Sequence, residues 1–205
     1  MKNKKILGVF GNVAFYGQER GNLQVFELLQ DAGFEMLLAV NDLGFQWHIQ
    51  SEVEARNLAY KKIRFSWDLR KTLDLKVLKG YIVNIPSSNY QLYKLIKYYK
   101  PDYIHVCNDT HVMILLPVLL LNKTKLIYRL GDKPSSYLSA FHHYLWKRFI
   151  IPRVNSFVCI SNYIKQELTK LDCPEDKITV IYNFPPKRIK LLDDDLPKRN
   201  NDYIT

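Results

Sequence analysis

The sequence predicts an α/β fold in which helices cover both faces of a doubly wound, mostly parallel sheet. Short apolar runs of strand length alternate with longer stretches whose apolar residues recur at helical spacing. The 205 residues, 47% of them hydrophobic and 24% charged, fit one ordinary globular domain. Gly and Pro number only 8 and 9, which excludes collagen-like and low-complexity chains.

The first half of the chain holds three strand-length runs with helices between them. Residues 5–11 are mostly apolar and read as a buried strand, and a Gly-bearing loop follows up to Gly21. Apolar residues in 22–32 recur at helical spacing, and Gly33 supplies a helix stop. The other elements predicted here are strands at 34–40 and 62–67, and helices at 47–59 and 69–83, the last broken at Gly80.

The second half continues the alternation. Pro86 opens a helix with one apolar face, and Pro101 ends it. The pattern also predicts helices at 110–121, 136–151 and 162–171, and strands at 102–107, 125–129, 156–160 and 177–182. Six or seven strands of this kind are typical of a Rossmann-like domain, in which ligands bind beyond the carboxyl ends of the strands.

The charge balance is strongly positive, with 30 Lys and Arg against 20 Asp and Glu. Together with 14 Tyr and 10 Phe, this favours an anionic partner such as a phosphate group, a nucleic acid or an acidic membrane face. No run reaches the roughly 18 to 20 apolar residues that span a bilayer. The cysteines at 107, 159 and 173 are odd in number and widely spaced, which favours buried reduced thiols in the cytosol.

A basic and aromatic stretch occupies residues 60–79, where seven basic residues are opposed only by Asp68 and Asp74. An interfacial surface on anionic lipid has this composition, although an ordinary charged helix surface has it too. No RNA-binding or zinc-finger element accompanies the charges, so we expect no nucleic-acid partner. The residues expected to form the membrane surface are Lys61, Lys62, Arg64, Arg70 and Lys71.

Several other motifs have simpler interpretations. Two Tyr-x-x-x-Lys pairs, at 90/94 and 93/97, are best explained as a solvated helix face. An Asp-x-Asp motif at 193–195 lies among prolines in a segment of linker composition, 184–205. His105 falls in a predicted strand and is interpreted as a core histidine. The five histidines have no metal-ligand spacing, so no metal site is expected.

Taken in order, four stretches resemble the N-terminal domain of a GT-B glycosyltransferase of the large retaining family 4. Gly17-Gln-Glu-Arg20 and the helix after it are similar to the family's Gly-Gly-x-Glu loop and first helix. Pro101-Asp-Tyr-Ile-His105 is similar to its Pro-Asp strand ending in His. The strand ending in Leu130-Gly131-Asp132 stands where the family has His-Asp, and residues 155–183 resemble the segment that leads into a second domain. The resemblance covers about residues 4–186.

The resemblance implies that this domain holds the acceptor while a C-terminal domain holds most of the nucleotide-sugar, with no essential metal and with retention of configuration. Domain 1–183 would be followed by a linker and the start of a missing donor-binding domain at 184–205, with Asn183 at the hinge. By position, Gly17 would approach the donor diphosphate. The residues lining the acceptor side would be Glu19, Arg20, Asn108, Asp109, Arg129 and Asp132.

Three departures from the family pattern accompany the resemblance: Gln18 replaces the second loop glycine, Leu130-Gly131 replaces a histidine, and Phe184 replaces the glycine after Asn183. The resemblance implies the acceptor-binding half of a glycosyltransferase, inactive alone, that acts in surface polysaccharide or glycolipid synthesis at the cytoplasmic face of the membrane. It assigns no catalytic residue and no cofactor, since the nucleotide-sugar is the donor substrate. A membrane-recruiting partner subunit of a split glycosyltransferase is the alternative, and a nucleotide-binding oxidoreductase is a more distant one.

Overall fold

Seven parallel strands make up one sheet within the part of the chain that the computed structural model describes, namely residues 4–12, 15–42, 47–65, 75–134 and 140–183. The spatial order is β3-β2-β1-β4-β5-β6-β7. The strands are β1 (Lys5–Phe10), β2 (Glu35–Asn41), β3 (Tyr60–Ile63), β4 (Tyr103–Val106), β5 (Lys125–Leu130), β6 (Ser156–Cys159) and β7 (Ile178–Val180). This topology confirms the predicted α/β, Rossmann-like fold.

Helices connect the strands and cover the sheet. Their bounds are α1 (Gly17–Asp31), α2 (Trp47–Ala55), α3 (Leu75–Tyr99), α4 (Asp109–Ile114), α5 (Leu116–Leu121), α6 (Ala140–Leu145), α7 (Ile151–Arg153) and α8 (Asn162–Thr169). A π-helical turn, Trp146–Ile150, joins α6 to α7, and a short 3₁₀ turn, Glu175–Lys177, precedes β7.

The central strands are mostly apolar because both of their faces are covered. In β1, the five residues after Lys5 are all buried, and Ile6 lies opposite Met36 of β2 and Tyr103 of β4. Alternate side chains enter separate cores: Phe10 packs edge-on against Phe26 on one face, with ring centroids 5.4 Å apart. The opposite core contains the stacked rings of Tyr128, Trp146 and Phe157.

The first helix begins earlier than the sequence pattern predicts. The loop was expected to run to Gly21, but α1 starts at Gly17. The backbone N–H of Tyr16 donates to Glu19 Oε2 at 3.0 Å, and the N–H of Arg20 donates to the Tyr16 carbonyl at 3.0 Å. Glu19 therefore stabilises the first turn, which apolar periodicity alone does not reveal.

Pro86 does not separate two helices, as the sequence pattern predicted, but lies inside the single helix α3. A proline has no N–H, so the carbonyl four residues earlier, that of residue 82, loses its usual helix donor. Asn89 Nδ2 donates to the Ile85 carbonyl at 2.9 Å, and Ser88 Oγ donates to the Asn84 carbonyl. Both side chains thus bond to the helix backbone in the turn after Pro86, and the helix continues through the proline.

The helix predicted at 110–121 is instead two short helices, α4 and α5, which meet at Leu115. Pro117 lies in the first turn of α5, where a missing N–H is tolerated. Asn89 of α3 fills the break: its Nδ2 donates to the Ile114 carbonyl at 2.9 Å, and its Oδ1 accepts from the Val118 N–H at 3.1 Å.

Smaller differences concern the ends of other elements. Strand β3 begins at Tyr60 rather than at residue 62, because Tyr60 pairs with Leu38 of β2. Helix α2 ends at Ala55, and the chain then turns through Asn57, whose φ of 53° is outside the helical range. The three cysteines are free and buried, as predicted.

Candidate functional site

The strand order reverses direction between β1 and β4, so the chain connections leave these strands toward opposite sides of the sheet. In such sheets, the carboxyl ends at this point frame a ligand-binding crevice. Three segments follow strands here: Gly11-Asn12 after β1, 107–109 after β4, and Gly131-Asp132 after β5. The start of α1 lies against them.

Asn12 connects the ends of β1 and β4 to the start of α1. Its Oδ1 accepts from Asn108 Nδ2 at 2.8 Å, and its Nδ2 donates to Glu19 Oε1. Glu19 Oε2 accepts from the Tyr16 N–H, and the side chain is only 1% exposed. Both Glu19 oxygens therefore have partners within the protein, while the predicted contact of Glu19 with an acceptor stays a prediction.

Asn108 is also the N-cap of α4. Its Oδ1 accepts from the His111 N–H at 3.1 Å. The same oxygen lies 2.9 Å from His111 Nδ1, which donates because an amide oxygen only accepts. The imidazole packs edge-on against Phe65, with ring centroids 5.7 Å apart. His111 was not predicted as a site residue. The Asn-x-x-His spacing at a helix start could have identified it, because an N-cap residue contacts the residue three positions later.

Gly11 is required by the close approach of this imidazole. A Cβ added at Gly11 would lie 2.0 Å from His111 Cδ2, far inside contact distance. The carbonyl of Gly11 accepts from Asn41 Nδ2 at 2.6 Å, and Asn41 Oδ1 accepts from the Phe65 N–H at 3.3 Å. The fully buried Asn41 thereby ties the end of β1 to the segment after β3.

Gln18, the residue in place of the family's second loop glycine, spans from α1 to the strand ends. Its Nε2 donates to the Cys107 carbonyl, and its side chain covers Gly131, where an added Cβ would lie 3.3 Å from Gln18 Cγ. Gly17 is different, because nothing lies within 4 Å of an added Cβ there. The surface beside Gly17 is therefore open at the first turn of α1, where N–H groups favour an anion.

Arg129 joins the sheet to α1 and to the last described residues. Its Nη1 donates to Asn22 Oδ1 at 3.1 Å, and its Nη2 donates to Asn183 Oδ1. The residue is 6% exposed, and burial lowers the pKa of its guanidinium. Across the described ranges, no carboxylate forms an ion pair with it. The predicted acceptor residue Arg129 thus lies under α1, next to the predicted hinge.

Asp109 lies in a separate aromatic cluster. Trp146 Nε1 donates to Asp109 Oδ1 at 3.0 Å, and Tyr128 also hydrogen-bonds the carboxylate while stacking on Trp146. Burial raises the pKa of Asp109 to about 6, and the two hydrogen bonds oppose that rise. Burial also lowers the pKa of His105 to about 3, so this core histidine is neutral beside Phe26.

The remaining predicted acceptor residues are exposed. The Arg20 guanidinium lies over the Phe15 ring, 5.7 Å from its centroid, and Asp132 faces solvent after β5. The structure thus brings Glu19 and Asn108 together through Asn12, but it puts Asp109 and Arg129 in two other hydrogen-bonded groups. Asn12, Asn22 and His111 belong to the same carboxyl edge and were not identified from the sequence.

The predicted membrane residues Lys61 and Lys62 are exposed on β3, the first strand of the sheet order. Arg64 is exposed and pairs with Asp42 at 3.6 Å. Arg70 and Lys71 lie outside the described residues. No helix in the described part of the chain has the length and apolar content needed to cross a membrane. Within the same ranges, no group of three or more His, Cys, Asp or Glu side chains is placed to hold a metal ion.

Several solved structures with the same fold are glycosyltransferases that share little sequence with this chain. A glycosyltransferase from Rickettsia africae superposes with a TM-score of 0.63 at 16% identity, over 89% of this chain and 43% of that one. HepE of Anabaena, solved with UDP-glucose, gives 0.64 at 15%, over 87% and 43%. The lipopolysaccharide outer core galactosyltransferase WaaB gives 0.55 at 15%, over 91% and 50%. The chain therefore spans about half the length of these proteins.

The model of the family described as Glycosyltransferase Family 4 matches residues 16–184, which is most of the chain. No curated protein sequence matches it significantly. The matched range begins beside the first turn of α1 and includes the strand ends that carry Asn108, Arg129 and Asn183. The chain belongs to glycosyltransferase family 4, and its sheet is the Rossmann-like N-terminal domain of a GT-B fold.

Proposed function

We propose that this chain is the acceptor-binding half of a glycosyltransferase that transfers a sugar from a nucleotide-sugar to a glycan acceptor. The observation that carries the proposal is the family match over residues 16–184, which contains the carboxyl edge described above apart from Gly11 and Asn12. The other half of the reaction, donor binding, falls to a second domain, either on the same polypeptide or on a partner subunit. The chain by itself is expected to be inactive, and the transfer proceeds with retention of configuration.

The donor assignment rests on similarity and on the open first turn of α1. HepE was solved with UDP-glucose, and it shares this fold over 87% of the present chain. Gly17 leaves space at the helix start, where backbone N–H groups are available to an anion. A diphosphate held mainly by the second domain would contact this turn across the cleft between the two domains.

The acceptor assignment rests on the amides at the carboxyl edge. Asn12 and Asn108 are fixed against each other by a 2.8 Å hydrogen bond, so their remaining polar positions are held in place. Amides both donate and accept, which suits the hydroxyl groups of a sugar. Arg20 and Asp132 are exposed beside them and supply charges of both signs.

A lipid-linked acceptor is the form that the basic surface favours. Lys61, Lys62 and Arg64 are exposed at the carboxyl-terminal part of the edge strand β3. Basic residues near an anionic bilayer contribute about 1 kcal/mol each to binding. A diphosphate-linked glycolipid combines a sugar, an anionic linkage and a membrane anchor, and it would place the domain peripherally on the cytoplasmic face.

Ligand-observed NMR with a short-chain prenyl diphosphate sugar, UDP-glucose and NADPH tests the acceptor proposal. We expect saturation transfer to the sugar of the prenyl compound, and its reduction in Asn108→Ala. Asn162→Ala removes an exposed amide elsewhere and is the matched control. Binding of NADPH without binding of the prenyl compound would contradict the proposal and favour an oxidoreductase.

Liposome co-sedimentation tests the membrane part separately. We expect salt-sensitive binding to vesicles containing anionic lipid, no binding to neutral vesicles, and loss of binding when Lys61, Lys62, Arg64, Arg70 and Lys71 are all changed to Ser. A folded protein that ignores anionic vesicles would leave the glycosyltransferase assignment intact and refute the membrane-bound acceptor.

A further inference from the structure

An open depression of about 720 Å³ lies between the C-terminal half of α3 and the end of α5. Its volume is in the range of ordinary ligand sites, but it is an open groove on the surface rather than an enclosed pocket. The residues lining it are Tyr93, Lys97, Leu121, Asn122, Lys123 and Thr124.

The depression has exposed apolar and aromatic walls. Leu121 is 81% exposed and Tyr93 is 42% exposed, while Tyr98 nearby on α3 is 81% exposed. The opposite side of α3 supplies the packing of the helix, since Leu92 and Ile96 are buried in the core. The exposed side is therefore not needed to hold the helix on the sheet.

Positive charge lies along this groove, because Lys97 and Lys123 line it and Lys94 precedes Lys97 by about one turn of α3. Lys94 lies over the Tyr90 ring at 4.4 Å, and Lys97 lies over the Tyr93 ring at 5.6 Å. Among the described residues, neither of these lysines nor Lys123 forms an ion pair.

The groove lies at the amino edge of the sheet, away from the candidate active site. Thr124 immediately precedes β5, and α3 ends at Tyr99, shortly before β4. Asn108 and Gly131 follow the opposite ends of the same two strands. A six-residue strand is about 20 Å long, so a ligand at the carboxyl edge does not reach this groove.

We propose that this groove binds an acidic, extended segment of a partner protein. Its carboxylates would pair with Lys94, Lys97 and Lys123, and one of its aliphatic or aromatic side chains would pack between Tyr93 and Leu121. The concave shape favours a peptide over a bilayer, which is a flat surface and cannot fill a depression. The proposal does not depend on the identity of the sugar, the acceptor or the membrane contact.

Fluorescence anisotropy tests the proposal with a labelled 12-residue peptide of Glu residues interspersed with Leu and Tyr, and with a copy that has Gln in place of Glu. We expect the acidic peptide to bind in a salt-sensitive way and the neutral copy not to bind. Replacing Lys94, Lys97 and Lys123 together by Gln should weaken binding roughly tenfold or more. Leu121→Ser should weaken it as well, since it removes the apolar contact.

The matched control changes Lys147, Arg148 and Lys170 to Gln, which removes the same number of exposed positive charges outside the groove and outside the predicted membrane surface. Equal losses in the two triple variants would show nonspecific attraction and overturn the proposal. Loss of binding to anionic vesicles in the groove variant alone, with no peptide bound, would overturn it in favour of a lipid surface. Melting temperatures of all the variants establish that each is folded.

Discussion

The buried carboxyl of Asp109 makes the stability of this domain depend on pH in a direction opposite to that of most surface carboxyls. Its pKa rises from an ordinary value of 3.8 to about 6 in the folded protein, because burial disfavours the charged form. Below about pH 3, Asp109 is protonated in both the folded and the unfolded state. Above about pH 7 it is ionised in both, and the folded state bears the cost of a buried charge.

The difference between the two pKa values is about 2, which corresponds to about 3 kcal/mol of unfolding free energy. Asp109→Asn cannot ionise, and its amide oxygen can still accept from Trp146 Nε1. We therefore expect this variant to gain about 3 kcal/mol on the wild type as the pH rises from 3 to 7. Urea unfolding at several pH values, followed by tryptophan fluorescence, measures that gain as a difference between the two proteins.

The matched control is Asp172→Asn, which removes an exposed carboxylate whose pKa is lowered by hydrogen bonding and charge from Lys147. For this control the pH dependence of stability has the opposite sign. The ion pair between Asp172 and Lys147 stabilises the wild type above the pKa of the unfolded state, and that stabilisation is lost as the pH falls. A stability difference between Asp109→Asn and wild type that stays constant from pH 3 to 7 would refute the reasoning.

Two further changes test the packing at the carboxyl edge. Gly11→Ala should destabilise the domain by about 2 kcal/mol or more in urea unfolding, because the new Cβ overlaps the His111 ring. Gly17→Ala adds a methyl group to open space and should be nearly neutral. Equal stabilities of the two variants would contradict this prediction. Arg129→Met should release Asn183 and speed limited proteolysis near that residue. We expect the melting temperature to fall by no more than a few degrees. Unchanged cleavage would show that the contact with Arg129 does not hold the chain there.

Periodicity predicted the order and type of the elements because the central strands are buried on both faces and each is followed by a helix. Periodicity predicted the helix boundaries less accurately where side chains, rather than backbone groups, supply the hydrogen-bond partners. Glu19 starts α1 early, and α3 continues past Pro86, where Ser88 and Asn89 bond to backbone carbonyls of the same helix. Such contacts depend on three-dimensional neighbours, as when Asn89 also bridges α4 and α5, and they leave no apolar repeat in the sequence.

The candidate site was partly predictable for a similar reason. Topology alone directs attention to residues just after the strands, and this rule identified Asn108, Asp109 and Asp132. It could not indicate that Asp109 turns toward Trp146, because the two residues are 37 positions apart. The same rule did not indicate that Arg129 hydrogen-bonds Asn22 beneath α1. An arginine within a strand does not reveal which distant residue of the same chain it contacts.

The position of β1 at the centre of the sheet has a consequence for the order of folding. Ile6 pairs with Met36 on one side, but its partner on the other side is Tyr103, which is 97 positions further along the chain. A chain emerging from the ribosome can form the β1–β2 unit early, yet one edge of β1 stays unpaired until β4 has been synthesised. Such distant parallel pairing slows folding and leaves an apolar strand edge open to aggregation in the meantime. Co-expression of chaperones that bind exposed apolar segments should therefore raise the yield of this domain.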